Sequence, residues 1–198
     1  FIKLYKTCKD EYFTIGKFKT NLWIYLEEET SSLFWESLYS RNVKQEVPAY
    51  ISMCFDVIIK KNQNNMNIYI LTDTLINNLL TSNCPFNWYD HKINKKLKLD
   101  YLKYFLLFHY GGIWLKPSTI VFKNFDIFTE KLNTNDIITI GCEPENTNCN
   151  EFKILGSRKG APIIEDLLNS ISQKLKMYIN DYAFINYDIL FLKNSVIS

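Results

Sequence analysis

The chain has 198 residues, 47% hydrophobic and 16% aromatic, which is enough to bury a sizeable core and favours a single domain over residues 1–198. Its 23 Lys and Arg against 21 Asp and Glu give a net charge of +2, without the basic excess typical of nucleic-acid binding. No apolar run approaches the roughly 20 residues of a membrane-spanning helix. We therefore expect a globular domain with no transmembrane segment in this chain and no nucleic-acid partner.

The five cysteines are odd in number and form no CxxC pair, which argues against a disulfide framework and against a zinc site. The Asn-rich sequence also lacks an N-x-[ST] glycosylation acceptor. Both features favour a reducing, cytoplasmic compartment. The chain begins at Phe1, without a signal peptide, and we expect it to be a piece of a longer protein, so a membrane-associated or lumenal location stays open.

The first half of the chain predicts a strand, a helix and a second strand. Residues 21–26, NLWIYL, form an apolar and aromatic run typical of a buried strand, and SSLFWESLY further on favours a brief helix. Pro48 opens a helix over 48–61, whose apolar positions recur along one helix face. The stretch NIYILTD then predicts the second strand. Because this unit implies parallel strands, we expect the functional site at their carboxyl ends.

The second half continues the α/β pattern. A helix over 95–110 ends at a Gly-Gly pair, since glycine adopts the left-handed conformation common just after a helix. The runs IWL and TIVF predict strands on either side of residues 116–118. DIITIG predicts a further strand, CEPENTNCNE a polar loop, and Pro162 opens a last helix. The expected architecture is a mostly parallel central sheet flanked by helices.

The stretch KLDYLKYFLLFHYGGIWL resembles one carried by glycosyltransferases of the "sugar-binding region containing DXD motif" and capsular polysaccharide synthesis families. Those families have an Asp, an Arg three residues later, a helix ending in Gly-Gly, then an aromatic residue, Leu and Asp-x-Asp. The similarity extends more loosely to LWIYL, VPAYISMCFDVIIKK, IYILTD, IITIGCEPE and APIIEDLL. The resemblance implies the GT-A fold, a single Rossmann-like nucleotide-binding domain that transfers a sugar from a nucleotide-sugar donor.

The resemblance also assigns roles to residues of this chain. Asp100 would hydrogen-bond hydroxyl groups of the donor sugar; without that role it would be a helix-surface carboxylate paired with Lys103. Lys103 stands where the family has Arg, so the charge is kept and the planar fork of donors is lost. The nucleotide pocket would be lined and closed by Trp23, Ile24, Tyr25, Thr72 and Asp73.

The DXD motif itself falls on Lys116, Pro117 and Ser118, so both carboxylates are absent. In the family, that pair binds manganese or magnesium, which neutralises the leaving diphosphate. A divalent metal cofactor is therefore doubtful here. On one interpretation Lys116 places its own positive charge beside the phosphates, with Ser118 as a further donor. On the other, the site has decayed and Lys116 is a solvated lysine at a strand end.

Further candidates have simpler explanations. Arg158 and Lys159 in GSRKG would bind phosphates, but the stretch lacks the spacing of a phosphate-binding loop, and a basic turn before a helix is the favoured explanation. Glu143 and Glu145 would face an acceptor or act as a base; as loop acids they are more simply solvated. His109 is expected to pack at the end of its helix.

The leading function is a hexosyltransferase that uses a UDP- or GDP-sugar donor and a glycan or protein acceptor, without a metal. The alternative is a catalytically inactive glycosyltransferase-like domain that serves as a binding or structural module. Turnover separates the two, because an inactive domain can still bind a nucleotide.

Overall fold

The computed structural model describes residues 19–27, 48–80, 84–90, 93–141 and 154–181. In chain order, their elements are β1 Thr20–Tyr25, α1 Ala49–Asn62, β2 Met66–Leu71, α2 Asp73–Leu80, α3 Lys95–Tyr110, β3 Gly112–Leu115, α4 Asp126–Thr134, β4 Ile137–Ile140, β5 Ile154–Ser157 and α5 Pro162–Asp181. None of the helices in these ranges is long and apolar enough to cross a membrane.

The described strands form one sheet in the order β2-β1-β3-β5-β4. β1 pairs in parallel with both β2 and β3, whereas β5 is antiparallel to β3 and to β4. All of these strands except β5 therefore point in the same direction. The predicted α/β fold with a mostly parallel sheet is confirmed.

Both faces of β1 are covered by helices. Leu22 and Ile24 pack with Phe55 of α1 on one face. Trp23 and Tyr25 point to the other face, where they join a cluster formed with α2, α3 and α5. Burial on both faces explains why NLWIYL is a continuous apolar run and does not alternate with polar residues.

Most of the predicted elements are confirmed. The helices expected over 48–61 and 95–110 are α1 and α3, and the helix expected from Pro162 is α5. The strands expected in NLWIYL, NIYILTD, IWL and DIITIG are β1, β2, β3 and β4, the first three of which begin one residue earlier than these stretches. The helix expected in SSLFWESLY and the loop CEPENTNCNE lie outside the described residues. Three elements were not predicted: α2, α4 and β5.

The strand predicted for TIVF, residues 119–122, is wrong. After Pro117 the chain turns, with Thr119 N donating to Lys116 O at 3.1 Å, and residues 119–122 pair with no strand. Both positions beside β3 in the sheet are already taken, by β1 and by β5. Val121 is buried against the sheet, whereas Phe122 is 83% exposed.

The chain passes from α3 into β3 through two glycines, Gly111 and Gly112, whose φ angles are +67° and +112°. Gly112 lies so close to β1 that a Cβ atom there would be 2.2 Å from the main-chain oxygen of Asn21. Trp23 Nε1 donates to Gly111 O at 2.9 Å, and Asn21 Nδ2 donates to Tyr110 O at 3.2 Å. These contacts fix the start of β3 against β1.

Gly112→Ala should destabilise the protein far more than Gly160→Ala. Gly160 also has a positive φ, +73°, but a Cβ atom there would meet nothing within 4 Å. We expect a loss of about 1–2 kcal/mol at Gly160 from the backbone conformation alone. At Gly112 the clash adds to that cost, so the loss should exceed about 3 kcal/mol. Urea unfolding measures both values, and equal losses would show that the contact with Asn21 relaxes freely.

Candidate functional site

The carboxyl ends of β1, β2 and β3 lie at one edge of the sheet. The chain leaves β1 through α1 to reach β2 on one side, then crosses back to β3 on the other side of β1. When successive connections lead to opposite sides of a strand, a crevice forms at the carboxyl ends of the strands, between the two connections. Here that position lies between β1 and β3, and we place the candidate site at this edge.

Lys116 follows β3 at this edge. Ile24 pairs with Leu115 in the parallel ladder, so Lys116 comes one residue beyond the ladder, at the level of Tyr25. Lys116 is half-buried and Ser118 is exposed. The strand register thus brings Lys116 beside a residue that lies far away in the sequence.

Asp73 is the centre of a hydrogen-bonded cluster at the same edge. Its Oδ1 accepts from Tyr25 Oη at 3.0 Å and from Trp88 Nε1 at 2.7 Å. The rings of Tyr25 and Trp88 also meet edge to face, with their centroids 6.4 Å apart. Thr72 is buried, and its Oγ1 accepts from Leu75 N at 3.5 Å at the start of α2. The structure therefore brings Tyr25, Thr72 and Asp73 together.

The amino end of α3 reaches this edge as well. Asn94 caps the helix, with its Oδ1 accepting from Lys96 N at 2.8 Å. Lys95 forms an ion pair with Glu27, and its Nζ lies 5.8 Å from the centre of the Tyr25 ring. A helix amino terminus carries a partial positive charge, which favours an anionic ligand at this edge.

Trp23 and Ile24 lie behind the site, in the interior. Both side chains are 0% exposed, and Trp23 stacks on Tyr69 with a centroid distance of 4.6 Å. A nucleotide can reach these two side chains only if their neighbours move.

Asp100 is also buried, at 7% exposure, so it is not the helix-surface carboxylate of the simpler interpretation. Its Oδ1 pairs with Lys103 Nζ at 2.5 Å, three residues along α3. The Lys103 ammonium also lies 4.8 Å from the centre of the Tyr104 ring. Because little water screens this pair, removal of either partner leaves the other as an uncompensated charge.

Arg158 and Lys159 lie at the opposite edge of the sheet. Gly112 pairs with Ser157 in the antiparallel ladder, so the chain leaves β5 beside the amino end of β3. There Arg158 pairs with Asp136 at 3.3 Å. Arg158 and Lys159 belong to the wall of an open groove of about 520 Å³. Cations at the carboxyl end of α3 complement the negative end of its dipole. The structure does not bring these two residues next to Lys116.

His109, near the end of α3, packs between aromatic rings, with its own ring centroid 4.4 Å from that of Phe105 and 5.1 Å from that of Phe108. Burial, assisted by the positive charge of Lys159, lowers the pKa of His109. His109 is nevertheless exposed, so the packing that the sequence predicted is limited to these ring contacts.

Two buried ionisable groups near the cluster were not identified from the sequence. Lys98 is 6% exposed, and burial lowers its pKa against the opposing attraction of Asp90 and Asp73. Burial raises the pKa of Tyr101 to about 12. The available signal was spacing, because Lys98 precedes Leu102 of the core stripe by four residues and so shares its helix face.

The residues at the DXD position do not fit the divalent metal of the family. Lys116 offers an ammonium group, Pro117 no side-chain ligand and Ser118 a single hydroxyl, whereas magnesium and manganese require hard oxygen ligands such as carboxylates. Within the part of the chain that the structure describes, no three His, Cys, Asp or Glu side chains gather to hold a metal. Glu143 and Glu145 fall outside that part.

Comparison with known proteins agrees with the resemblance. Residues 48–138 match the family model described as "Glycosyltransferase sugar-binding region containing DXD motif". No curated protein matches the chain. Five solved chains do, among them one described as "PaToxG Glycosyltransferase", with 16% identity and a TM-score of 0.49 over 80% of this chain.

This chain covers 62% of that solved chain, less than two thirds of its length. The resemblance to the DXD-containing glycosyltransferases is confirmed over residues 48–138. That range includes the Lys116 position.

Asp73→Leu should destabilise the protein much more than Tyr25→Phe. Leucine removes the oxygen that accepts from Tyr25 Oη and Trp88 Nε1. Because these two residues are only 7% and 6% exposed, we expect the free energy of unfolding to fall by about 2–4 kcal/mol. Tyr25→Phe removes one donor and keeps the ring, which should cost about 0.5–1.5 kcal/mol. Urea unfolding of both variants measures the difference, and similar losses would mean that the carboxylate does not hold the cluster together.

Proposed function

We propose that the protein is a glycosyltransferase of the GT-A fold that transfers a hexose from a UDP- or GDP-sugar to a glycan or protein acceptor, as a single domain. One observation carries the proposal. The register of β1 and β3 sets Lys116 at the crevice beside Tyr25, within the stretch that matches the family model. The donor's diphosphate would lie over this edge of the sheet, between Lys116 and the cluster around Asp73.

In this proposal, the protein's own groups neutralise the leaving nucleoside diphosphate. As the bond between the anomeric carbon and the phosphate oxygen breaks, negative charge develops on that oxygen. The Lys116 ammonium would donate to the diphosphate as a point charge, with the Ser118 hydroxyl as a further donor. The positive amino ends of α2 and α3 add to the same field. No step requires a divalent metal.

The remaining predicted residues take different places in this proposal. Lys103 forms an ion pair with Oδ1 of Asp100. We propose that the other oxygen, Oδ2, accepts a hydrogen bond from a hydroxyl of the donor sugar. Tyr25 is the end of the nucleotide wall nearest Asp73, and Trp23 and Ile24 support that wall from behind. We leave Arg158 and Lys159 out of the donor site, because the direction of β5 carries them to the other edge.

The second candidate function is an inactive glycosyltransferase-like domain that binds a glycan or protein partner. The absence of both motif carboxylates and the burial of Trp23 and Ile24 favour it. Incubation of the folded protein with UDP- and GDP-sugars separates the two functions. Hydrolysis or transfer supports the enzyme, and the absence of both across the panel leaves the binding domain.

Activity and nucleotide binding should survive excess EDTA but not the loss of Lys116. We expect Lys116→Ala to weaken UDP or GDP binding by about 1.5–3 kcal/mol, the value of a charged hydrogen bond. Lys123→Ala removes an exposed lysine from the same loop and should have no such effect. Titration calorimetry with and without EDTA measures both.

Essential manganese would contradict this prediction, and its ligands would then come from elsewhere. Asp100, Asp126 and Glu143 are the first carboxylates to test. Asp126 accepts hydrogen bonds from Asn65 and Asn124, and Glu143 lies outside the described ranges.

Asp100→Asn should lower kcat/KM by a factor equivalent to about 1.5–3 kcal/mol if the carboxylate holds the donor sugar. The matched control is Lys103→Gln, which breaks the same ion pair but keeps the Asp100 carboxylate. A sugar-binding role predicts the larger loss in Asp100→Asn. Equal losses in the two variants would assign Asp100 to helix structure alone.

A further inference from the structure

Lys98 is a buried cation that the proposed reaction does not use. It lies on α3 at 6% exposure, and its ammonium group reaches out of the helix to the segment 84–90. Nζ donates to Trp88 O at 2.7 Å and to Asp90 O at 2.5 Å. Both acceptors are main-chain carbonyl oxygens, so Lys98 binds the backbone of this segment directly.

Segment 84–90 is also hydrogen-bonded to the centre of the candidate site. Trp88 donates from its indole nitrogen to Asp73 Oδ1 at 2.7 Å, and the same oxygen accepts from Tyr25 Oη. A continuous path of hydrogen bonds therefore runs from α3 through the segment to the ends of β2 and β1. Tyr89 lies between Trp88 and Asp90, whose carbonyl groups accept from Lys98, and its side chain is 49% exposed to solvent.

We propose that Lys98 is a positioning residue that fixes segment 84–90 as one wall of the donor site. The inference rests on the proposed function, because it names the wall that a nucleotide would contact. Lys98 touches no reacting atom. It acts through Trp88, whose hydrogen bond to Asp73 Oδ1 and ring contact with Tyr25 join the segment to the ends of β2 and β1.

A lysine suits this role because its ammonium group has three donors on a long stem and can reach two carbonyl oxygens at once. Burying a cation is costly unless hydrogen bonds compensate it. Asp90 and Asp73 attract the ammonium group, whereas Lys95 repels it. The carbonyl groups of Trp88 and Asp90 depend on the same contact, so its loss should release the segment.

The test compares Lys98→Met with Lys98→Arg and Lys96→Met. Methionine keeps the length but has no donor, arginine restores donors, and Lys96 is an exposed lysine of the same helix. Amide hydrogen exchange of residues 86–90 should become at least tenfold faster in Lys98→Met, while the sheet stays protected. The Kd for UDP or GDP should rise about tenfold. Lys98→Arg should recover a large part of both effects, and Lys96→Met should match the wild type.

Each outcome has a defined meaning. Unchanged exchange in Lys98→Met would overturn the inference, and so would faster exchange without a change in nucleotide affinity. If the wild-type protein binds neither UDP nor GDP, the proposed function fails, and the exchange data alone decide whether Lys98 fixes the segment. If Lys98→Met does not fold, Lys98→Gln, whose shorter side chain cannot reach both carbonyl oxygens, should show the same local release, and its absence would refute the inference.

Discussion

The close approach of Gly112 to the backbone of β1 is the contact on which the candidate site depends. No side chain fits between the two strands at this point, since a Cβ atom would overlap the main-chain oxygen of Asn21. The contact fixes the register of a strand only four residues long, β3. A slip by one residue would turn every side chain of β3 to the other face of the sheet and would move Lys116 from the level of Tyr25.

At the other end of the strands, the acids are engaged within the protein. Asp73 accepts from Tyr25 and Trp88, and Glu27 pairs with Lys95. The Lys95 ammonium offsets the charge of Glu27, whereas Asp73 accepts only from neutral donors, which leave the charge of a carboxylate in place. Affinity of this edge for an anionic ligand therefore depends on the positive amino ends of the helices and on the lysines beside them.

Local patterns in the sequence predicted the elements whose burial follows a regular spacing. The apolar spacing along α1 and the Gly-Gly pair after α3 mark those helices closely, and the strand-helix-strand order predicts the parallel pairing of β1 and β2. TIVF has the composition of a strand, but composition does not reveal that both neighbours of β3 are already in place. ILGS was missed for the converse reason, since its strand conformation comes from pairing with β3 and β4.

Part of the candidate site could likewise be predicted from local sequence, and part could not. Strand order predicted the edge, and the family resemblance marked Lys116, because both depend on short stretches of sequence. The path from Lys98 through Trp88 to Asp73 joins residues from three separate segments. Hydrophobic patterning also assigns lysines to the surface. Lys98, at 6% exposure, is therefore a buried residue that this pattern cannot predict.

The central place of β1 has a consequence for how the chain acquires its structure. Leu22 pairs with Ile68 on one side and with Ile113 on the other, both far along the chain. Parallel partners at such separations cannot form by a local hairpin, and the entropy of closing long loops delays them. During synthesis from the amino end, NLWIYL leaves the ribosome long before β3 exists. It then presents an apolar strand with one open edge, so β1 is a segment at risk of pairing with the wrong chain until the Gly-Gly turn brings β3 beside it.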